Sequence, residues 1–299
     1  MLPTLSISFG RKELGKLLLM DNLNQDETNE PISKSSDYSD FLVVGEAAAR
    51  AAGKILKDWM GKAPVTEKGP GDFVTQADIA SQETIEAMIR TSFPTHGFLG
   101  EENQSAEDKP NPLVDSEFCW VVDPLDGTTN YIHQLRSFSV SIALLQRGKI
   151  VVGIVYDPLL DEMYAASLGG GATLNETPIT VSQCRHIDQS LLVCSFSTNV
   201  QQDSIELKRF TNILCNTQSS IRRLGSAALN LAYVACGRLD GYWATSLNIW
   251  DMAAGALILT EAGGVIEHID GKPLQLDDPQ FVAANNRQLL NQASKWLQV

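Results

Sequence analysis

The part of the sequence that most constrains the fold is residues 120–131, where an apolar run ends abruptly in two carboxylates, a glycine and two hydroxyl groups. Residues 118–122 are apolar, aromatic or β-branched, and this pattern predicts a short buried strand with Asp123 at its carboxyl end. Pro124 disfavours helical geometry at Asp123, so the chain turns there. We therefore expect Asp126 to face the same cavity as Asp123.

The residues that follow this turn suggest a phosphate site. Gly127 permits a close backbone approach, and the stretch Thr128-Thr129-Asn130 is typical of a helix start, whose free N–H groups attract a phosphate. The neighbouring carboxylate oxygens are ligands that suit Mg²⁺. The alternative is an ordinary turn stabilised by aspartate side chains, which Asp-Pro and Asp-Gly pairs commonly form.

A second source of carboxylates lies in residues 95–103, which are predicted to form a turn and a short strand through Phe98 and Leu99. Glu101 and Glu102 follow that strand. Adjacent like charges repel each other, so the pair needs either a cation or solvent around it. A solvated loop is the alternative for such a pair, but two acidic strand ends in one domain favour a shared site.

A third carboxylate lies in residues 248–264, where apolar residues recur at helical spacing and Gly263-Gly264 supplies a stop. Asp251 is therefore expected in the first turn of a largely apolar helix. The helix dipole favours a carboxylate at this position, so an ordinary capping acid is the alternative to a functional ligand.

Taken together, three separated motifs resemble the two signature regions of the inositol monophosphatase family: Glu101-Glu102, residues 123–130, and Trp250-Asp251 followed by residues 261–264. The resemblance extends from about Tyr38 to the end of the chain. It implies a layered α-β-α-β-α sandwich, an α+β or α/β fold of the inositol monophosphatase and fructose-1,6-bisphosphatase type. The expected catalytic unit is residues 38–299, with approximate subdomains at 38–185 and 186–299.

The resemblance also implies two or three Mg²⁺ ions per active site. Their expected ligands are Glu101, Glu102, Asp123, the Leu125 carbonyl, Asp126 and Asp251. Asp123 would be shared by the first two ions, an arrangement that suits in-line displacement at phosphorus. The third and weaker ion is expected near Glu101 and Glu102, largely through water.

The attacking group in that family is a water molecule activated by the metal. The resemblance implies that Thr128, hydrogen-bonded to Asp78, orients this water, with Glu101 on its other side. Asp78 has a simpler alternative as the cap of a helix predicted over residues 79–90, and Thr128 has one as a helix-start residue. We recognise no serine, cysteine or histidine in a nucleophile motif.

Substrate contacts are implied for eight residues: Asp126, Gly127, Thr128, Thr129, Gly225, Ser226, Ala227 and Asp251. The last loop among them has an alternative as a helix start rich in small residues. Many family members that act on inositol phosphate carry a glutamate seven positions before the residue matching Asp251. Ala244 stands there in this chain, a loss that weakens polyol discrimination by about 1 to 3 kcal/mol. Thr245 and Asn248 are the candidates to replace it.

The function implied by the resemblance is that of a magnesium-dependent, lithium-sensitive phosphomonoesterase that hydrolyses inositol monophosphate, acting as a homodimer. Because of Ala244, another small phosphate ester stays open as the substrate: fructose 1,6-bisphosphate, histidinol phosphate or phosphoadenosine phosphate. A non-catalytic scaffold on the same fold is the third alternative.

Composition agrees with this function and excludes others. A chain of 299 residues that is 43% hydrophobic can bury a large core, and a net charge of −13 argues against nucleic acid as a partner. No apolar run reaches membrane-spanning length, so no membrane partner is expected. Five cysteines without metal-ligand spacing indicate a reducing compartment, which we take to be the cytoplasm.

Local patterns complete the prediction. Residues 1–37 are polar and without period, so we expect disorder there, with import of this extension into an organelle as an open alternative. The hydrophobic pattern predicts a helix over residues 40–60 and antiparallel strands over 137–145, 150–156 and 162–166.

Overall fold

The computed structural model describes residues 37–69, 72–103, 112–197, 199–278 and 280–298. The disorder predicted for residues 1–37 lies outside the described residues, apart from Asp37. The α-helices are α1 (Ser39–Trp59), α2 (Gln76–Ser92), α3 (Pro112–Asp115), α4 (Thr128–Ile132), α5 (Ile205–Asn216), α6 (Ala227–Ala235), α7 (Ile249–Glu261) and α8 (Arg287–Leu297). Short 3-10 helices span Glu101–Asn103 and Ile187–Gln189.

Three β-sheets occur among the described residues. Their strands are β1 (Val65–Gly69), β2 (Asp72–Thr75), β3 (Gly97–Gly100), β4 (Phe118–Asp126), β5 (Ser139–Gln146), β6 (Lys149–Asp157), β7 (Glu162–Ser167), β8 (Gly171–Leu174), β9 (Thr177–Pro178), β10 (Leu191–Ser195), β11 (Ser220–Arg222), β12 (Gly241–Ala244), β13 (Val265–His268) and β14 (Phe281–Ala284). The first two form a hairpin. The positions of α1, β5, β6 and β7 confirm the helix and the three antiparallel strands that the hydrophobic pattern predicts.

The two larger sheets differ in strand direction. The seven-stranded sheet has the order β3-β4-β5-β6-β7-β8-β9, with a parallel pair at β3 and β4 and antiparallel pairs elsewhere. The five-stranded sheet has the order β11-β10-β12-β14-β13, and β12 pairs in parallel with β10 but antiparallel with β14. The carboxyl ends of β10 and β12 therefore meet at one edge of their sheet.

The helices cover both faces of each large sheet. Helices α1 and α2 pack on one face of the seven-stranded sheet, around Trp120. Helices α6 and α7 fill the space between the sheets, where Val121 of β4 and Tyr242 of β12 belong to one buried cluster. Helices α5 and α8 pack around Trp243 on the far face of the five-stranded sheet. This order of layers confirms the predicted α-β-α-β-α sandwich.

Alternation along the strands explains the layers. Successive side chains of a strand point to opposite faces, so Trp120 and Val121 enter different clusters. Both faces are covered by helices, which is why β4 is apolar over consecutive positions rather than at every second one. No helix in the described ranges combines the length and the apolar character needed to cross a bilayer.

Two predicted boundaries are wrong. Strand β4 does not end at Val122 but continues through Asp126, with a bulge between Asp123 and Asp126. Pro124 has no N–H to donate, and the bulge removes it from the regular ladder without ending the strand. Helix α2 begins at Gln76 rather than at residue 79, because Thr75 serves as its N-cap. The division at residues 185 and 186 stays a prediction.

Candidate metal centre and active site

Three aspartates converge where the seven-stranded sheet meets the middle helical layer. Asp123 and Asp126 come from the bulged end of β4, and Asp251 comes from the first turn of α7. One carboxylate oxygen from each lies within 4.8 Å of the others. Residues three apart on a regular strand point to opposite faces, and the extra residue of the bulge brings both aspartates of β4 to one side.

Asp126 is held by the start of α6. Its carboxylate accepts hydrogen bonds from Ser226 Oγ at 2.5 Å, from the Ala227 N–H at 3.1 Å and from the Ala228 N–H at 2.7 Å. Ser139 Oγ on β5 lies 3.1 Å from Ser226 Oγ and extends this network. A buried carboxylate with three donors has a fixed position, so the start of α6 sets one side of the centre.

The other two aspartates accept hydrogen bonds from backbone N–H groups that are close to them in sequence. Asp123 Oδ1 accepts the Leu125 N–H at 2.9 Å, within the bulge. Asp251 Oδ2 accepts the Asn248 N–H at 2.7 Å, which completes a capping box at the start of α7. The capping role considered for Asp251 is thus real, and the same carboxylate also belongs to the cluster.

Burial and mutual repulsion raise the pKa values of these carboxyl groups. Burial raises the pKa of Asp123 well above its ordinary value, and the charges of Glu101, Asp126 and Asp251 raise it further. Burial raises the pKa of Asp126 to about 6, although the donors from α6 act in the opposite direction. Burial, together with the charge of Asp126, raises the pKa of Asp251 to about 7. Ionised at neutral pH, such a group of acids requires a compensating cation.

The donor set fits a hard divalent cation. All of the converging atoms are carboxylate oxygens, which is the ligand type of Mg²⁺, Ca²⁺ and Mn²⁺ rather than of thiophilic metals. Glu101 and Glu102 lie half-buried in the 3-10 helix after β3, as the sequence predicts. The charge of Glu101 raises the pKa of Asp123. Among the described residues, however, the group of carboxylate oxygens within 4.8 Å of one another contains only the three aspartates.

Thr128 lies between two other predicted site groups. Its Oγ1 is 3.4 Å from Asp78 Oδ1 and 3.1 Å from the Leu125 carbonyl oxygen. Asp78 is the third residue of α2, and its Oδ2 accepts hydrogen bonds from Thr75 Oγ1 at 2.6 Å and from the Thr75 N–H at 2.9 Å. Burial raises the pKa of Asp78 to about 6, and the charge of Glu102 adds to the effect. The structure therefore brings together the Asp78 and Thr128 pair.

Two glycines allow the neighbouring loops to approach each other. Gly127, the N-cap of α4, has a φ of +99°, and Gly225, just before α6, has a φ of +98°. Asn130 joins the two loops, because its Nδ2 donates to the carbonyls of Ser137 and Leu224, each at 2.7 Å. A β-carbon on Gly225 would collide with that amide.

The predicted substrate residues surround the three aspartates, but not all of them face open space. Thr128 and Thr129 begin α4; Thr128 is half-buried and Thr129 is exposed. Ser226 and Ala227 are buried, and both donate to Asp126, the first through its hydroxyl and the second through its N–H. Their contacts with a substrate stay predictions.

Two hydroxyl groups of β5 that support the site lie outside the sequence motifs. Ser139 contacts Ser226, and Ser141 Oγ donates to the Trp250 carbonyl at 2.9 Å, beside Asp251. Both serines are buried on the same face of an otherwise apolar strand. The period of two in Ser139-Val140-Ser141 is a signal that could have identified them.

Comparison with known proteins agrees with these arrangements. The model of the inositol monophosphatase family matches residues 37–298. An inositol-1-monophosphatase from Mesorhizobium japonicum is 41% identical over 251 residues, which are 83% of this chain and 92% of that protein. The Nus factor SuhB of Pseudomonas aeruginosa is 39% identical over 253 residues, again 83% of this chain and 92% of the relative.

A solved structure shares the same architecture. The extragenic suppressor protein suhB from Bartonella henselae superposes with a TM-score of 0.79 at 36% identity, covering 87% of this chain and 99% of that chain. The family match extends over nearly all described residues, and the relatives are covered almost completely. The chain therefore belongs to the inositol monophosphatase family.

Proposed function

We propose that this protein is a magnesium-dependent phosphomonoesterase that hydrolyses inositol monophosphate to inositol and inorganic phosphate. The observation that carries the proposal is the convergence of Asp123, Asp126 and Asp251 within 4.8 Å, beside the hydrogen-bonded pair Thr128 and Asp78. Membership of the family supports phosphatase chemistry, and the similarity to the inositol-1-monophosphatase of Mesorhizobium supports inositol phosphate as the substrate.

The metal would be held by the three converging aspartates, with Glu101 and the Leu125 carbonyl as the further expected ligands. When bound, Mg²⁺ acidifies water and stabilises negative charge on a phosphoryl group during its transfer. The protein's own contribution is to fix the carboxylates in place and to offset, through hydrogen bonds, part of the rise in pKa that burial causes. Helix α6 does this for Asp126 through three donors, and the capping box of α7 does it for Asp251.

Thr128 has the chemistry to orient an attacking water. A hydroxyl group has one proton and two lone pairs; whether Thr128 gives its proton to Asp78 or to the nearer Leu125 carbonyl, the lone pairs of its Oγ1 can accept from a water. With a pKa of about 6, Asp78 is mostly ionised at neutral pH and can accept that hydrogen bond. The water would then present its own lone pair to the phosphorus atom, which is the geometry that displacement needs.

Ala244 is the observation that favours a second candidate substrate. Its methyl group is fully buried in the cluster with α6 and α7, so it offers no polar group to a polyol. Another small phosphate ester, such as fructose 1,6-bisphosphate, histidinol phosphate or phosphoadenosine phosphate, is therefore the alternative substrate. The name Nus factor belongs to the Pseudomonas relative, and a net charge of −13 gives no support for nucleic-acid binding by this chain.

A phosphate-release assay tests the proposal. Purified protein is incubated with Mg²⁺ and each of inositol 1-phosphate, fructose 1,6-bisphosphate, histidinol phosphate and phosphoadenosine phosphate, with and without lithium or a chelator. We expect the highest kcat/KM with inositol 1-phosphate, loss of activity with chelator, and inhibition by lithium. A higher value with another ester would establish the alternative substrate, and the absence of turnover with all four would favour a scaffold.

A further inference from the structure

Glu206 is a buried carboxylate outside the three-aspartate cluster. It lies in the first turn of α5, and only 7% of its surface is exposed. Its Oε1 accepts hydrogen bonds from the Ser197 N–H at 2.7 Å and from Thr245 Oγ1 at 3.0 Å, and its Oε2 accepts one from Ser197 Oγ at 3.0 Å. Burying a carboxylate is costly without such partners, so these contacts define where its charge is held.

The contacts place Glu206 at the carboxyl ends of two parallel strands. Ser197 follows β10 and Thr245 follows β12, and the two strands pair with Ser195 opposite Ala244. Ligands of α/β sheets bind at the carboxyl ends of parallel strands. The segment after Thr245 leads within a few residues into α7, whose first turn carries Asp251. Glu206 is therefore next to the connection that supplies one of the three aspartates.

A second set of contacts involves Ser195, the last residue of β10, and Tyr242 of β12. Ser195 Oγ and the Tyr242 hydroxyl are 2.7 Å apart. Burial raises the pKa of Tyr242, and the charges of Asp126 and Asp251 raise it further, so this phenol lies within electrostatic reach of the cluster. Ser195 in turn is only two residues from Ser197, which contacts Glu206. Tyr242 on β12 thus lies near both the cluster and the end of β10, and Ser197, which contacts Glu206, lies two residues beyond that end.

The remaining hydrogen-bonding capacity of this group suits a hydroxyl donor. A carboxylate has four acceptor positions, and the three contacts leave one of them on Oε2. Thr245 Oγ1 gives its proton to Glu206, so its lone pairs also accept. Both groups would bind the hydroxyls of a polyol, whereas the buried methyl group of Ala244, the last residue of β12, would not.

We propose that Glu206 is the specificity-determining residue for the substrate's hydroxyl groups, with Thr245 as its partner in the pocket wall. This proposal rests on the proposed phosphatase function, because it concerns the alcohol part of the same substrate. Helix α5 would supply, from a different element, the carboxylate that position 244 lacks in this chain.

Glu206→Gln tests this directly. The amide keeps an oxygen for the Ser197 N–H and Thr245, and Ser197 Oγ can rotate to accept from the new NH₂, so the fold is kept while the carboxylate acceptor is lost. Thr245→Val is the second variant, since it removes only the hydroxyl. Each variant is assayed with inositol 1-phosphate and with p-nitrophenyl phosphate, an ester without hydroxyl groups, and its melting temperature is measured.

Glu261→Gln is the matched control. Glu261 lies at the end of α7 as Glu206 lies at the start of α5, and it also accepts backbone N–H groups, from Gly169 at 2.8 Å and from Gly171 at 2.9 Å. It lies ten residues after Asp251 on α7, about 15 Å along the helix axis. If the loss of a carboxylate's hydrogen bonds had only a structural effect, Glu206→Gln and Glu261→Gln would change the activity in the same way.

We expect Glu206→Gln to lower kcat/KM for inositol 1-phosphate about tenfold, mainly through KM, and to leave p-nitrophenyl phosphate and the melting temperature unchanged. Equal losses with both esters, or no loss with either, would overturn the assignment of Glu206. Failure of the unsubstituted protein to hydrolyse inositol 1-phosphate would instead contradict the proposed function. That result is distinguishable from a Glu206→Gln variant in which the ratio of kcat/KM between the two esters is unchanged.

Discussion

At the scale of single residues, the surroundings of Asp123 strongly oppose the ionisation of its carboxyl group. It is buried, the carboxylates of Asp126 and Asp251 lie within 4.8 Å, and the charge of Glu101 acts on it as well. One hydrogen bond from the Leu125 N–H does not compensate this repulsion. Its position between the other acids makes it the ligand that two cations would share.

Asp123→Asn therefore should abolish phosphate release and weaken Mg²⁺ binding by more than about a hundredfold, because loss of a group that only orients a ligand already costs about 10- to 100-fold. Calorimetric titration with Mg²⁺ measures the affinity. Asp157→Asn is the control, since Asp157 is a buried carboxylate that accepts the N–H groups of Leu159 and Leu160. Near-normal turnover of the Asp123 variant in saturating Mg²⁺ would contradict the shared-ligand model.

Thr128→Ala should lower kcat by about a hundredfold or more and leave Mg²⁺ affinity unchanged, because it removes a hydroxyl that orients the attacking water. Thr128→Ser keeps the hydroxyl and should retain most of the activity. Steady-state kinetics of both variants, with a Mg²⁺ titration of each, separate the possible roles. A change in KM alone would identify Thr128 as a substrate-binding residue.

The acidic residues of the site could be predicted from the sequence because each follows a recognisable strand or begins a helix. Their supports could not be predicted in this way. Ser139 meets Ser226 across 87 positions of sequence, and Asn130 reaches the Leu224 carbonyl across 94. Such contacts depend on how whole layers pack, and no local pattern encodes them. The contacts of Glu206 could not be predicted for the same reason, since its partners follow two separate strands.

At the scale of elements, the site depends on where strands and helices end. The predicted end of β4 at Val122 is wrong, yet the aspartates still converge, because a bulge reorients the chain as effectively as a turn. A proline signals that the regular ladder is interrupted, but the neighbouring strand decides whether pairing resumes. Here Asp126 pairs again with Ser139 of β5, and that partner lies beyond the motif.

Replacement of Gly225 tests the contact between Asn130 of α4 and the loop that precedes α6. Gly225→Ala places a β-carbon against the Asn130 amide in a left-handed conformation, so it should lower the free energy of unfolding by more than about 2 kcal/mol and reduce turnover. Gly148→Ala is the control, because its φ is +77° and no described atom beyond its chain neighbours lies within 4 Å of the added carbon. That variant should lose only about 1 kcal/mol. Urea denaturation measures both, and equal losses would show that the Asn130 contact is unimportant.

At the scale of the whole molecule, the centre is built from two layers that are distant in sequence. The seven-stranded sheet supplies Asp123 and Asp126, and the middle helical layer supplies Asp251 and the donors at the start of α6. The resemblance of the motifs to a family is what made the sandwich predictable, since hydrophobic periodicity alone gives elements but not their order in layers. Homodimer formation and a cytoplasmic location stay predictions.

The stability of the metal-free protein should fall as pH rises. The pKa values of Asp126 and Asp251 are raised from 3.8 to about 6 and about 7, so the folded state binds protons more tightly than the unfolded state does. Their protonation stabilises the fold fully below about pH 4, and this contribution is lost as pH rises through 6 and 7. With chelator, the melting temperature should be higher near pH 5 than near pH 8, and Mg²⁺ should restore it at the higher pH. A metal-free protein that is more stable near pH 8 would contradict this.

The most direct test of the metal centre is a crystal structure with Mn²⁺ in place of Mg²⁺, located by anomalous scattering. We expect at least two anomalous peaks at the three aspartates, with the Asp123 carboxylate in contact with both ions and Asp126 and Asp251 in contact with one of them. No peak at these residues, or a single peak that Asp123 does not touch, would contradict a two-metal centre.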